Sequence, residues 1–180
     1  MNISETKLQG CKIIEPKVFQ DSRGFFLETF QVKRYKDLVG IDLEFVQDNC
    51  SRSKQGTLRG LHYQKKKPQG KLVRVIRGNI LDVALDIRAE SITYGHWVSI
   101  ELNDMNQKQL WVPPGFAHGF VVLSEEADVE YKCTDYYDPL DEHSILWSDP
   151  MLNINWPSNI EIITSEKDTL AKPFNELEVQ

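Results

Sequence analysis

Cysteine is sparse: Cys11, Cys50 and Cys133 are the only three in a chain of 180 residues. They are odd in number, far apart and form no Cys-x-x-Cys pair, which argues against a disulfide framework or a cysteine zinc site. The simplest reading of all three is as small apolar fillers. Basic residues are outnumbered, with 21 Lys+Arg against 27 Asp+Glu and a net charge of −6. A general nucleic-acid or membrane-surface binder would normally carry the opposite balance. No apolar run approaches the ~18–20 residues of a transmembrane helix, and the opening Met1-Asn2-Ile3-Ser4-Glu5-Thr6-Lys7 lacks the basic-then-apolar pattern of a signal peptide. Helical periodicity is also scarce. Gln31 to Val39 brings Val32, Tyr35, Leu38 and Val39 roughly onto one face, and Thr164 to Ala171 allows a further turn or two. Repeats, low-complexity runs and Pro/Gly/Ser linkers are missing. These absences leave one domain over 1–180, expected in the cytoplasm. Its 41% hydrophobic and 27% charged residues suffice for a packed core.

Strand signals are what the chain has in quantity. Lys71 to Arg77 alternates in the β manner, Gly78-Asn79 tolerates positive φ, and Ile80 to Arg88 sets Asp82, Ala84, Asp86 and Arg88 against Leu81, Val83, Leu85 and Ile87. Two such runs around Gly-Asn predict a hairpin. Trp97 to Leu102 is another strand. Phe120–Leu123 and Val129–Tyr137 are expected to pair around the acidic turn Glu125-Glu126-Ala127-Asp128. Turn signals recur about every 8–12 residues, the spacing of an all-β sandwich or barrel.

Four polar clusters interrupt this pattern. In Gly56-Thr57-Leu58-Arg59-Gly60-Leu61-His62-Tyr63-Gln64, a guanidinium and an imidazole lie among glycines and apolar residues. They either project into a cavity or belong to a surface loop. Pro113-Pro114-Gly115-Phe116-Ala117-His118 carries Pro-x-Gly-x-x-His, the core of the second cupin motif, and Gly56 to His62 has the Gly-x5-His spacing that opens the first. Metal-binding cupins continue as His-x-His with a glutamate soon after, whereas Gln64 and Lys65-Lys66-Lys67-Pro68-Gln69 stand here. Zinc or non-haem iron needs three or more converging ligands. Two are missing, so the expectation is a cupin-type jelly roll with a few short helices and no metal. On a strand through Val129 to Tyr137, Tyr131, Cys133, Asp135 and Tyr137 share one face; the two phenols are either packing aromatics or an acid–base pair. Ser165-Glu166-Lys167-Asp168 alone is a solvated charge run. His96 and His143 read as loop residues, and the tryptophans as core.

Together these segments resemble the dTDP-4-dehydrorhamnose 3,5-epimerases, cofactor-free isomerases of L-rhamnose nucleotide biosynthesis. The likeness runs from about Phe19 to Asp168, through Phe19-Gln20-Asp21-Ser22-Arg23-Gly24-Phe25-Phe26-Leu27-Glu28, Gln47-Asp48-Asn49, Leu58 to Gln64, Gln69 to Val75, Pro113 to Phe120, Tyr131-Lys132-Cys133 and Trp147-Ser148-Asp149-Pro150. No one segment is specific, but their order over most of the chain is. The resemblance implies a jelly-roll homodimer in which N-terminal strands join the partner's sheet. It implies that His62 is the base, oriented by Asp168, with Tyr131 the opposing acid and Lys71 facing the oxyanion. Arg23, Phe26, Glu28, Gln47, Asp48, Asn49, Arg59, His118, Tyr137, Glu142 and Lys167 would contact the nucleotide sugar.

The residue types suit that chemistry. A C4 ketone acidifies the C–H bonds at C3 and C5, so one base and one enolate-stabilising cation serve both. An imidazole titrating near pH ~6.5 is a suitable base, and a carboxylate would fix its tautomer. Inversion needs a second donor, and a phenol with a pKa near ~10 carries its proton at neutral pH. Neither NAD nor a metal is called for. Three other functions are compatible with parts of the pattern: a single-site epimerase acting at C3 or C5, a non-catalytic sugar-nucleotide-binding cupin, and a metal-dependent oxygenase.

Overall fold

The structure, a computed structural model, describes residues 1–177. Its regular structure is almost entirely strand: β1 (Asn2–Glu5), β2 (Lys12–Glu15), β3 (Val18–Asp21), β4 (Gly24–Leu27), β5 (Gln47–Lys54), β6 (Leu58–Gln64), β7 (Lys71–Arg77), β8 (Asn79–Asp86), β9 (Trp97–Asn103), β10 (Gln109–Val112), β11 (Phe116–Val122), β12 (Glu126–Cys133) and β13 (Glu142–Ser144). One antiparallel sheet runs β1-β2-β10-β7-β12-β5 and faces a second, β13-β6-β11-β8-β9. This is the all-β jelly roll expected from the sequence.

The core between the sheets follows from period-2 alternation. Val73 and Val75 of β7, Leu110 and Val112 of β10 and Val129 of β12 pack against Ile80 and Ala84 of β8 and Phe116, Phe120 and Val122 of β11. The outer faces are covered as well. Leu72 and Trp111 lie under Tyr35, Val39 and Ile41, while Val83, Leu85 and Ala117 lie under Ile145, Leu152 and Ile154. Central strands buried on both faces therefore place some polar residues deep inside: Asp82 and Asp86 of β8 are both fully buried.

Two sequence expectations about pairing need correction. Lys71–Arg77 and Asn79–Asp86 are strands joined at Gly78, whose φ is +85°, but they do not pair with each other. Strand β7 bonds to β10 and β12, and β8 to β11 and β9. Likewise β11 and β12 flank the acidic turn yet lie in different sheets. A Gly-Asn pair specifies that the chain reverses; which neighbour takes the hydrogen bonds is decided by which sheet has room for the strand. The expected strand Val129–Tyr137 is also displaced, ending at Cys133, so Asp135 and Tyr137 belong to the following loop.

The helical expectations reduce to short pieces. Val32–Arg34 runs into a π-type turn over Tyr35–Val39, with Tyr35 and Val39 buried but Val32 and Leu38 exposed. A single turn, α1 (Glu166–Thr169), is capped by Ser165, whose Oγ accepts from the Asp168 amide. Among the described residues no helix is long and apolar enough to cross a membrane.

Candidate active site

Residues of both facing sheets line a cavity of about 340 Å³ that is partly open to solvent. Strand parity explains most of its lining. On β5, Gln47, Asn49 and Ser51 turn inward; on β12, Tyr131 does; at the head of β7, Lys71 does. The other wall carries His62 of β6, His118 of β11 and Glu142 of β13. Arg59 and His62, separated by Gly60-Leu61, would sit on opposite faces of a regular strand. The register between β6 and β11 shifts there: His118 lies opposite His62, whereas Phe120 lies opposite Arg59. This bulge, built on Gly60 at φ +126°, brings both side chains to the cavity. Gly60 cannot be larger, because a Cβ there would stand 2.5 Å from the Gly119 Cα.

His62 is held between two carboxylates. Its Nε2 lies 2.5 Å from Asp168 Oδ1 and its Nδ1 lies 4.0 Å from Glu142 Oε1. Burial pushes the Asp168 carboxyl up, but the His62 imidazole, the Ser165 hydroxyl and the Gly60 amide together outweigh it and hold the group below the ordinary carboxylate range. An ionised Asp168 can only accept, so Nε2 bears the hydrogen and Nδ1 of the neutral ring has the free lone pair. Glu142 is likewise raised by burial and more strongly lowered by Lys167 and Tyr137. The Tyr137 hydroxyl donates to Glu142 Oε2 at 2.7 Å, and the Lys167 ammonium pairs with the same oxygen. That contact pushes the Tyr137 phenol up to about 12.

Across the cavity, Tyr131 and Lys71 lie on adjacent strands, with the ammonium 5.9 Å from the phenol ring centroid. Burial raises the Tyr131 phenol, so it is protonated at neutral pH. Burial also pushes the Lys71 ammonium down, against the opposing fields of Cys133, Glu142 and Asp82. Cys133 is directly opposite Lys71 in the register. This buried thiol thus has a basic neighbour, yet burial dominates and its pKa is raised. Cys50 is exposed and so is no core filler.

The polar grip is set by hydrogen bonds within the wall. Gln47 donates to Asn49 Oδ1 at 3.0 Å and accepts from the Tyr137 amide at 2.8 Å. Arg59 Nε donates to Ser53 Oγ at 3.1 Å, which leaves its terminal nitrogens for a ligand. Gln64, at the position where a metal cupin has its second histidine, is spent on the Lys67 and Tyr136 carbonyls and the Asp138 amide. Among the described residues no group of three or more His, Cys, Asp or Glu is placed to hold a metal.

The cavity thus gathers Gln47, Asn49, Arg59, His62, Lys71, His118, Tyr131, Tyr137 and Glu142, with Asp168 and Lys167 bonded behind its lining. It does not include the other four expected contacts. Asp48 is turned outward by parity and pairs with Lys132 at 3.0 Å on the surface. Arg23, Phe26 and Glu28 lie on or beside the β3–β4 hairpin, which pairs with neither large sheet. Arg23 is exposed and paired with Asp21, and Glu28 with Arg34. Sequence reasoning missed Ser51, Tyr63, Gln69 and Phe120, which also line the cavity. Ser51 shares parity with Gln47 and Asn49, and Phe120 with His118, so that signal was there to use. His143 lies on β13 rather than in a loop, stacked on Tyr63 at 5.2 Å.

This geometry has close counterparts. The family model for dTDP-4-dehydrorhamnose 3,5-epimerase matches residues 5–176. A dTDP-4-dehydrorhamnose 3,5-epimerase of Methanothermobacter thermautotrophicus is 51% identical, over 96% of this chain and 94% of its own. A Legionella pneumophila 3,5-epimerase solved with dTDP-4-keto-L-rhamnose superposes with a TM-score of 0.96 at 54% identity, over 98% and 94% of the two chains. A 3'-monoepimerase of Streptomyces bikiniensis, solved with dTDP-quinovose, is more distant, with a TM-score of 0.89 at 32% identity over 93% and 85%. With a family match that spans nearly all of it and half its residues shared with such relatives, the chain belongs to the dTDP-4-dehydrorhamnose 3,5-epimerase family.

Proposed function

We propose that the chain converts dTDP-4-keto-6-deoxy-D-glucose to dTDP-4-keto-L-rhamnose by inverting C3 and C5 through proton abstraction and return, without a cofactor. The observation that carries this reading is the placement of a carboxylate-held imidazole, His62, on one wall of the cavity and of Tyr131 and Lys71 on the other. His62 Nδ1 takes the proton from the carbon beside the ketone, and the C–H electron pair becomes the C=C of an enolate. The C4 oxygen then carries negative charge beside the Lys71 ammonium, the kind of electrostatic stabilisation that often dominates catalysis. Asp168 and Glu142 stabilise the imidazolium. Tyr131 returns a proton to the opposite face of the carbon, the carbonyl reforms, and solvent exchange resets phenol and imidazole. Arg59 and Lys167 hold the diphosphate, and Gln47, Asn49 and His118 the sugar.

The experiment is proton NMR of the keto sugar nucleotide with the protein in deuterated water. Deuterium at both C3 and C5 is expected. Exchange at one carbon alone would make this a single-site epimerase, and nucleotide binding without exchange would make it a binding cupin.

The functional unit in this reading is a homodimer of single-domain subunits, each spanning 1–180. Its support is the hairpin β3–β4, which displays Phe19, Phe25 and Phe26 at 52, 58 and 69% exposure, and the edge strand β5, which among the described residues has a neighbour on one side only. Docking the hairpin at β5 of a second copy would cover both and carry Arg23 and Phe26 towards the partner's cavity. Light scattering should give twice the chain mass, with Phe25→Asp shifting the protein to monomer. A monomeric wild type at micromolar concentration would reject the assembly. We place the enzyme in the cytoplasm, where free thiols such as Cys11, Cys50 and Cys133 persist.

A further inference from the structure

The cavity holds a second imidazole–carboxylate pair, whose carboxylate has no part in the mechanism above. His118 sits opposite His62 in the β6–β11 register, and its Nε2 lies 2.8 Å from Oδ1 of Asp82. Asp82 is on the interior face of β8, between Ile80 and Ala84, and is fully buried. Its other oxygen, Oδ2, has no hydrogen-bond partner among the described residues. A buried carboxylate with one oxygen unpaired is costly, and an apolar side chain of similar size would fill the same space at less expense. Packing therefore does not account for an acid at this position.

We infer that Asp82 is a positioning residue for catalysis, which fixes the His118 ring with its hydrogen on Nε2 and presents Nδ1 to the sugar. The inference rests on the epimerase reading for its consequence, but not for its geometry. An ionised Asp82 accepts and cannot donate, so the hydrogen of the shared bond belongs to Nε2. The described residues give Nδ1 no partner of their own, so it is the ring nitrogen left for a ligand. The same carboxylate opposes the desolvation of Lys71 and adds to the burial that raises the Cys11 thiol to about 12. One buried carboxyl group thus lies behind both His118 and Lys71. His62 and His118 come to the cavity from neighbouring strands, each with Nε2 tied to a buried acid from a third element.

The test has two parts. In the free wild-type protein, nitrogen-15 NMR of the imidazoles should show His118 with Nε2 protonated. A ring protonated on Nδ1 with Nε2 bare would overturn the inference whatever the substrate is. Asp82→Asn, matched in size, should then lower kcat ~10–100-fold with KM for the nucleotide sugar within about threefold, and disturb the His118 ring-nitrogen shifts. In a His118→Gln background the same change should cost no more than about twofold further, because the two residues act as one unit. An equal loss in both backgrounds, or an unchanged kcat in Asp82→Asn, would overturn it. Absence of sugar exchange by the wild type itself would instead count against the epimerase reading, leaving the ring-nitrogen result to stand by itself.

Discussion

Replacing His62 with alanine should lower kcat by ~10²–10⁴-fold, the range a positioned general base supplies, while leaving affinity for the nucleotide sugar within about threefold. The reason lies in how the cavity divides its labour. In the epimerase reading His62 presents Nδ1 to the carbon beside the ketone, while the buried Asp168 carboxylate fixes the opposite nitrogen at 2.5 Å. Arg59, Gln47 and Asn49 are anchored to Ser53, to one another and to the Tyr137 amide, with no bond to the imidazole. Truncating the ring therefore leaves the grip in place. Glu142 is the one shared point, since it lies 4.0 Å from Nδ1 and also holds Tyr137 and Lys167. Calorimetric titration with the nucleotide sugar, beside turnover followed by NMR, separates the two quantities. An affinity loss as large as the loss of turnover would show that His62 binds rather than abstracts.

Tyr131→Phe should reduce net inversion by ~10²–10³-fold, yet slow deuterium uptake at the same carbon much less. The phenylalanine keeps the ring that packs against the inter-sheet core and removes only the hydroxyl. Proton abstraction by His62 and enolate stabilisation by Lys71 remain. The enolate then has no donor on its far face, so His62 hands a solvent-derived deuteron back to the face it came from, and the sugar is labelled without being inverted. Burial keeps the Tyr131 phenol protonated, as a donor must be. Equal slowing of exchange and inversion would place Tyr131 before the proton abstraction instead of after it.

How much of this was legible beforehand differs residue by residue. Strand positions such as Lys71–Arg77 and Trp97 to Leu102 were readable because β-branched alternation and turn residues act over a few positions. Tyr131 was readable as an inward phenol by the same parity. Asp48 shows parity being overruled at a cost: motif likeness put it in the site, while alternation with Gln47 and Asn49 turns it to solvent. The pairing of β7 with β8 was misjudged because a tight turn is a local signal and sheet membership is not.

The sequence by itself determined the fold class, the family, the chemical types in the cavity and the two motif histidines, all of which depend on local pattern or on motif order along the chain. Tertiary structure alone decided which charges meet. Asp168 reads as part of a solvated charge run until the fold carries it across 106 positions to His62. Asp82 reads as one polar step in an alternating strand until both faces of β8 are covered and His118 is brought to it. Arg59 reaches the cavity only because a bulge at Gly60 breaks the strand's parity. The physical reason is the same in each case. Electrostatic partnership depends on distance through the folded interior, where the medium is poorly polarisable and a few ångströms decide whether a carboxylate governs an imidazole; order along the chain carries no measure of that distance.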